Sequence, residues 1–326
     1  MYRAEVTNGI EPQFPALTPA QRYHLEVNGY VVVEGLLDQD EIGRYHEALQ
    51  RLKDEFFAKD DPWNANIRNS TIFGRLQAWA GPKVQFDNYL ETDPLFLDYV
   101  AHPRIVGVAQ EVIGNQVRLS ETQAIINSRN PNADSDSGRS GRQWHHIRPG
   151  YWSYTENGLF HCSIVKALTN LTDLGPDDGG TTVIAGSHKL DCAEEDIVAA
   201  SREDPSLVHQ VIAPAGSTLF FCETLLHSSG AIRSDRERVV IIAGYQPANV
   251  KSQGVRGEQK FLDTVPEALR TLIGGTSGSP RPRRRILGTA VGAGRLEENY
   301  DGWSVDPRDP DRVDPNTTPR TAGTLP

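Results

Sequence analysis

Gly216-Ser-Thr-Leu-Phe-Phe-Cys-Glu-Thr-Leu-Leu-His227 holds a short apolar run that leads, through Glu223, to a histidine beside a Ser- and Gly-rich turn. A run of this length, bounded by turn residues, reads as a strand with His227 near its end. Similar runs lie at 159–168, 181–185, 207–213 and 239–245, separated by Gly-, Pro- and Asp-rich turns. Helices and strands do not alternate regularly, which argues against a doubly wound sheet. Many short strands favour a β-sandwich or barrel.

Upstream, the chain is helical. Thr18-Pro-Ala-Gln21 is a helix start, with Thr18 as cap and Pro19 in the first turn, and the helix should end near Gly29. Tyr30 to Glu34 reads as a strand. Asp38-Gln-Asp-Glu41 has capping-box spacing and opens a helix to about Phe57. Residues 58–92 are mixed, with room for a short helix. Leu95 to Ile113 is a helix pattern broken at Pro103, and Val117 to Ile126 is strand-like. Asn127 to Gly141 reads as a mobile loop, a candidate lid. The N-terminal helices are expected to cover one sheet. Residues 17–270 form a single expected domain, and 271–326 an extended segment with little core.

Composition narrows the function. The 326 residues carry a formal charge of -10, and the pI is near 5.4, a poor default for nucleic-acid binding. Arg281-Pro-Arg-Arg-Arg285 is short enough to be a solvated surface run. No window approaches a membrane span, and Met1 to Phe14 does not resemble a signal peptide. Cys162, Cys192 and Cys222 suit neither a CxxC site nor a disulfide framework, so a reducing cytoplasm is expected. The expected partners are a small-molecule substrate and O2, with a homodimer left open.

His145 and His146 follow Trp144, and with His227 they are the main metal-ligand candidates; His161 and His188 are weaker ones. Two histidines and a carboxylate with open positions suit non-haem iron. Arg238 follows His227 by eleven residues on the next expected strand. If the connection is a hairpin, both face one cavity, and the guanidinium can pair with a carboxylate.

Residues 144–247 resemble the phytanoyl-CoA dioxygenase family of iron(II)- and 2-oxoglutarate-dependent oxygenases. The resemblance is carried by Asp177-Asp-Gly-Gly180 through Ile184-Ala-Gly-Ser-His-Lys189, with Ala185 where the family has proline. It continues through Pro214-Ala-Gly-Ser217, Leu226-His227-Ser-Ser-Gly230 and Arg233 to Arg238, and extends to the Tyr30–Leu37 segment. It implies a double-stranded β-helix, a jelly-roll (cupin-like) core with added helices. It implies that His145 and His227 bind iron, that Arg238 binds 2-oxoglutarate, and that Ser229 helps hold the same carboxylate. Gln123 is a further cosubstrate candidate by position alone.

One position departs from the family. Its first metal motif is His-x-Asp, whereas Ile147 stands in the acid's place, and a register starting at His146 reaches Arg148. Three explanations compete. Glu223 supplies the carboxylate; on a straight strand it would lie roughly 13 Å from His227, so a turn must close the gap. Alternatively only histidines bind, with His146, His161, water or chloride joining His145 and His227, and chloride as in iron halogenases; those usually carry Gly or Ala there, and Ile147 would crowd a halide. In the third, the fold has turned to binding or a non-oxidative reaction.

Beyond the motif, Arg148, Tyr151 and Trp152 are weak substrate-wall candidates, with ordinary core packing as the alternative for the aromatics. Arg142 is a further candidate for an anionic substrate. Lys166 lies in an apolar run, where its stem can carry the ammonium to solvent. Cys222 reads as a small buried hydrophobe. The resemblance implies decarboxylation of 2-oxoglutarate to succinate and CO2, coupled to hydroxylation, desaturation or ring closure at an unactivated C–H bond. No CoA-binding motif is evident, so a specialised small molecule is the expected substrate.

Overall fold

The computed structural model describes residues 15–58, 67–69, 72–77, 83–114, 116–129, 144–146, 153–156, 159–248, 250 and 259–273. These all fall within one compact unit, residues 1–276. The arginine run, the segment from 274 onward and most of the expected lid lie outside the described residues, as do Arg142, Ile147, Arg148, Tyr151 and Trp152.

Local signals set the first elements. Helix α1 (Pro19–Asn28) starts on a complete Thr18–Gln21 capping box and ends on Gly29, at φ 82°. Strand β1 (Tyr30–Val33) follows. Helix α2 (Gln39–Phe57) opens on the Asp38–Glu41 capping box and buries Ile42, Tyr45, Ala48, Leu49 and Phe56. Three strands follow, β2 (Ile67–Asn69), β3 (Ile72–Gln77) and β4 (Lys83–Asp87), in a stretch with no clear strand signal in sequence. Pro103 divides α3 (Leu95–Val100) from α4 (Pro103–Ile113), as proline at a first turn should.

The remaining strands are β5 (Val117–Asn127), β6 (Ser153–Glu156), β7 (Leu159–Cys162), β8 (Val165–Asn170), β9 (Thr182–Ile184), β10 (Val208–Gln210), β11 (Thr218–Cys222), β12 (His227–Ser228) and β13 (Arg238–Pro247). Helix α5 (Glu194–Glu203) lies between β9 and β10, and α6 (Gln259–Thr264) and α7 (Glu267–Ile273) follow β13. Among the described residues, eight strands form the large sheet in the order β1-β11-β8-β13-β5-β4-β3-β2. A small sheet has the order β10-β9-β12, and β6 pairs with β7. The pairings are antiparallel.

Strand β13 is buried along its whole length. Val239, Ile241, Ala243 and Tyr245 join the core that holds the α1–α4 side chains, whereas Val240 and Ile242 join Val183 of β9, with Leu168, Leu219 and Phe221, in a second core between the sheets. This is the period-two alternation of a strand covered on both faces. The same alternation points Arg238 and Gly244 toward the small sheet.

The connection from His227 to Arg238 is not the expected hairpin. β12 lies in the small sheet and β13 in the large one, so the chain crosses from layer to layer. Each strand then buries its apolar face against the other layer instead of sharing one face.

The Gly179-Gly180 pair is explained by close backbone approach. A Cβ on Gly180 would lie 1.9 Å from the Val211 carbonyl oxygen, and one on Gly230 would lie 2.3 Å from the Gly180 carbonyl oxygen. Gly180→Ala is therefore expected to destabilise the fold by about 2 kcal/mol or more, since backbone must move to admit the methyl. Urea denaturation of the variant beside wild type measures this; an unchanged midpoint would contradict the close-approach reading.

Candidate active site

His145 and His227 sit opposite each other across an isolated antiparallel bridge. Each donates its backbone N–H to the other's carbonyl at 3.0 Å. Directly opposed residues place their side chains on one face, and the two imidazole centroids are 4.1 Å apart. His227 is buried, and its Nδ1 lies 2.8 Å from the Leu225 carbonyl oxygen. A carbonyl only accepts, so Nδ1 carries the hydrogen and Nε2 keeps its lone pair, the form a metal needs. Burial holds the His227 pKa well below the ordinary value, and His145 and the Lys166 ammonium lower it further. His146 faces elsewhere, with Nδ1 3.3 Å from Glu194 Oε2 on α5. Trp144 packs against the small core of Ile184, Ile197 and Leu226.

Arg238 begins β13 and is only 4% exposed. Its Nη2 donates to Thr181 Oγ1 at 3.1 Å. Its Nε has no hydrogen-bond partner, and no carboxylate pairs with the guanidinium, among the described residues. Burial lowers its pKa to about 10, yet it stays charged at neutral pH. A buried cation without a counter-charge is costly. A dicarboxylic cosubstrate would supply the missing anion, so the donor set fits 2-oxoglutarate.

Glu223 follows β11, and the chain turns there, with the Leu225 N–H donating to the Cys222 carbonyl at 2.8 Å. Glu223 is 1% exposed, and its Oε1 lies 2.8 Å from Lys166 Nζ. Lys166 Nζ also lies 3.0 Å from Glu121 Oε1. In register, Lys166 and Glu121 flank Gly244, which has no side chain to separate them. Lys166 therefore points inward, and its ammonium is not carried to solvent as expected from sequence: two acidic partners offset its desolvation. Burial works against that charge, but the two carboxylates outweigh it and hold the lysine pKa above its usual value. Burial raises the Glu223 pKa, and Lys166 offsets only part of the rise.

Among the described residues, no three His, Cys, Asp or Glu side chains form a metal-holding group. Ser229, just past β12, is exposed, and Gln123 is half-buried on the face of β5 that carries Glu121. Thr181 and Glu121 escaped sequence reasoning; layer packing brings Thr181 to Arg238, and the register of β5 and β8 on β13 brings Glu121 to Lys166.

The model of the family "Phytanoyl-CoA dioxygenase (PhyH)" matches residues 25–240. The chain belongs to the phytanoyl-CoA dioxygenase family. It is therefore placed among dioxygenases. It is 23% identical over 247 residues to a probable phytanoyl-CoA dioxygenase of Caenorhabditis elegans, covering 70% of this chain and 75% of that one. It is 25% identical over 185 residues to the ectoine dioxygenase of Streptomyces avermitilis, covering 54% of each; it thus spans about half that relative's length. The crystal structure of HygX from Streptomyces hygroscopicus with nickel, 2-oxoglutarate and hygromycin B bound is similar in fold. Its TM-score is 0.53 at 18% identity, covering 71% of this chain and 88% of that one. Mixed helices and antiparallel sheets are thus the shared architecture.

In this phytanoyl-CoA dioxygenase family member, His188 of the Gly-Ser-His-Lys motif is buried in a 3-10 turn, and burial lowers its pKa to about 4. The folded value lies below the unfolded one, so the unfolded chain takes up a proton that the fold refuses. Stability from this site is complete above pH 6.5 and is lost as pH falls toward 4. The expected loss is about 2 kcal/mol between pH 7 and pH 5. Denaturant titrations at both pH values should show it, and His188→Gln should flatten that slope.

Proposed function

We propose that this protein oxidises a C–H bond of a small specialised metabolite, using iron(II) held by His145 and His227 and 2-oxoglutarate anchored by Arg238. The buried Arg238 guanidinium, without an acidic partner among the described residues, is the observation that carries the reading. The Nε2 lone pair of His227, set by the Leu225 carbonyl, supports a metal on that side of the bridge. In this reading the two sheets close into a double-stranded β-helix, residues 17–270 form one oxygenase domain, and the setting is cytoplasmic. Glu223 pairs with Lys166 and forms no three-residue group with His145 and His227; in this reading it exchanges that lysine for the metal and supplies the acid missing at Ile147, and Ser229 and Gln123 assist the cosubstrate.

The bound metal with 2-oxoglutarate and O2 supplies the oxidising power. The chain's own groups do the rest. Arg238 and Thr181 fix the distal carboxylate and therefore the direction in which the cosubstrate lies. Phe221, with its ring centroid 4.5 Å from that of His227, limits water on that side of the imidazole. The ectoine and hygromycin B named for two similar proteins favour a polar small molecule over a fatty acyl thioester.

Anaerobic loading should give near-stoichiometric iron, and adding 2-oxoglutarate should change the visible spectrum. Absence of iron binding, together with no 2-oxoglutarate consumption across candidate substrates, would sink the proposal. Glu223→Ala should weaken iron binding by about tenfold or more, the scale set even by loss of a group that supports a ligand. Unchanged affinity in equilibrium dialysis would remove Glu223 from the metal.

A further inference from the structure

Four consecutive residues, Arg236 and Glu237 just before β13 and Arg238 and Val239 at its start, are each held by a different partner. Arg236 bonds the buried Asp178 carboxylate through Nε, at 3.2 Å, and through Nη2. Arg238 bonds Thr181. The Val239 N–H donates to Thr172 Oγ1 at 3.1 Å. Glu237 alone is gripped by a helix: Lys53 Nζ pairs with its Oε1, and Gln50 Nε2 donates to its Oε2 at 2.8 Å. Both carboxylate oxygens are engaged, which holds the side chain in one orientation. Gln50 and Lys53 lie three apart on α2, along the edge of the face that Tyr45, Leu49 and Phe56 anchor in the core.

Neighbouring strand residues point to opposite faces. Glu237 immediately precedes β13, so its attachment to α2 fixes where the strand begins, and the alternation that starts at Arg238 sends the guanidinium inward, between the sheets. We propose that Lys53, Gln50 and Glu237 are positioning residues for the cosubstrate: the outer clamp on Glu237 sets the reach of the Arg238 guanidinium and so the selectivity for a 2-oxo acid with a distal carboxylate. The inference rests on reading Arg238 as the 2-oxoglutarate anchor. Lys53 and Gln50 lie 184 and 187 residues before Glu237, so a surface helix tunes a buried anion site.

The test compares 2-oxoglutarate with pyruvate, which has the same 2-oxo acid group but no distal carboxylate. Both are titrated calorimetrically into the full-length, anaerobic, Fe(II)-loaded protein. Lys53→Met and Glu237→Ala should each weaken 2-oxoglutarate about fivefold while leaving pyruvate affinity unchanged, as loss of one orienting charged contact predicts. Lys53→Arg should restore the preference. A parallel loss of affinity for both acids would mean that the clamp supports the fold in general, and would overturn the proposal. So would a wild-type preference in both variants, provided that Arg238→Met abolishes it; the anchor would then stand without the clamp. If Arg238→Met keeps the preference, the anchor reading fails, and the clamp falls with it.

Discussion

Strand β13 is the element on which the rest depends. It is buried on both faces and paired on both edges, with β8 and β5. Its odd-numbered residues from Val239 to Tyr245 complete the helix-side core, and Val240 and Ile242 complete the core between the sheets. A one-residue slip would exchange the two sets and turn Arg238 toward the helices. The apolar packing that stabilises the domain therefore also aims the guanidinium, and stability and anion recognition share one register.

Charge is used sparingly inside this frame. Lys166 is shared by Glu121 and Glu223 across the gap left by Gly244, so each buried ion there has a partner. Arg238 has none among the described residues, in a place where burial is nearly complete. A paired buried charge can be part of the scaffold, whereas an unpaired one marks a place prepared for a ligand. That contrast separates two clusters that look alike in sequence, each being a basic residue on an apolar strand.

The legible parts of the chain were the local ones. Both capping boxes, the break at Pro103 and the Gly29 terminus depend on residues three or four apart, and each helix lies where those residues place it. Helix α5 was missed because Ala193 at its N-cap makes no side-chain cap and gives no start signal. Strands β2 to β4 were missed because their residues show no clear period-two pattern; β2 ladders onto β3, β3 onto β4, and only β4 is joined to the large sheet through β5. Lys166 was misjudged for a related reason: its direction depends on carboxylates contributed by β5 and the turn after β11.

The sequence by itself determined the family, several of the strands and the residue types available for chemistry, because motifs and short apolar runs are properties of neighbours in the chain. Tertiary structure alone decided that His145 meets His227 and that Glu223 pairs with Lys166. It alone decided that Arg238 faces inward from a different sheet than His227. Those relations join residues brought together by strand register and layer packing, and no spacing along the chain encodes them.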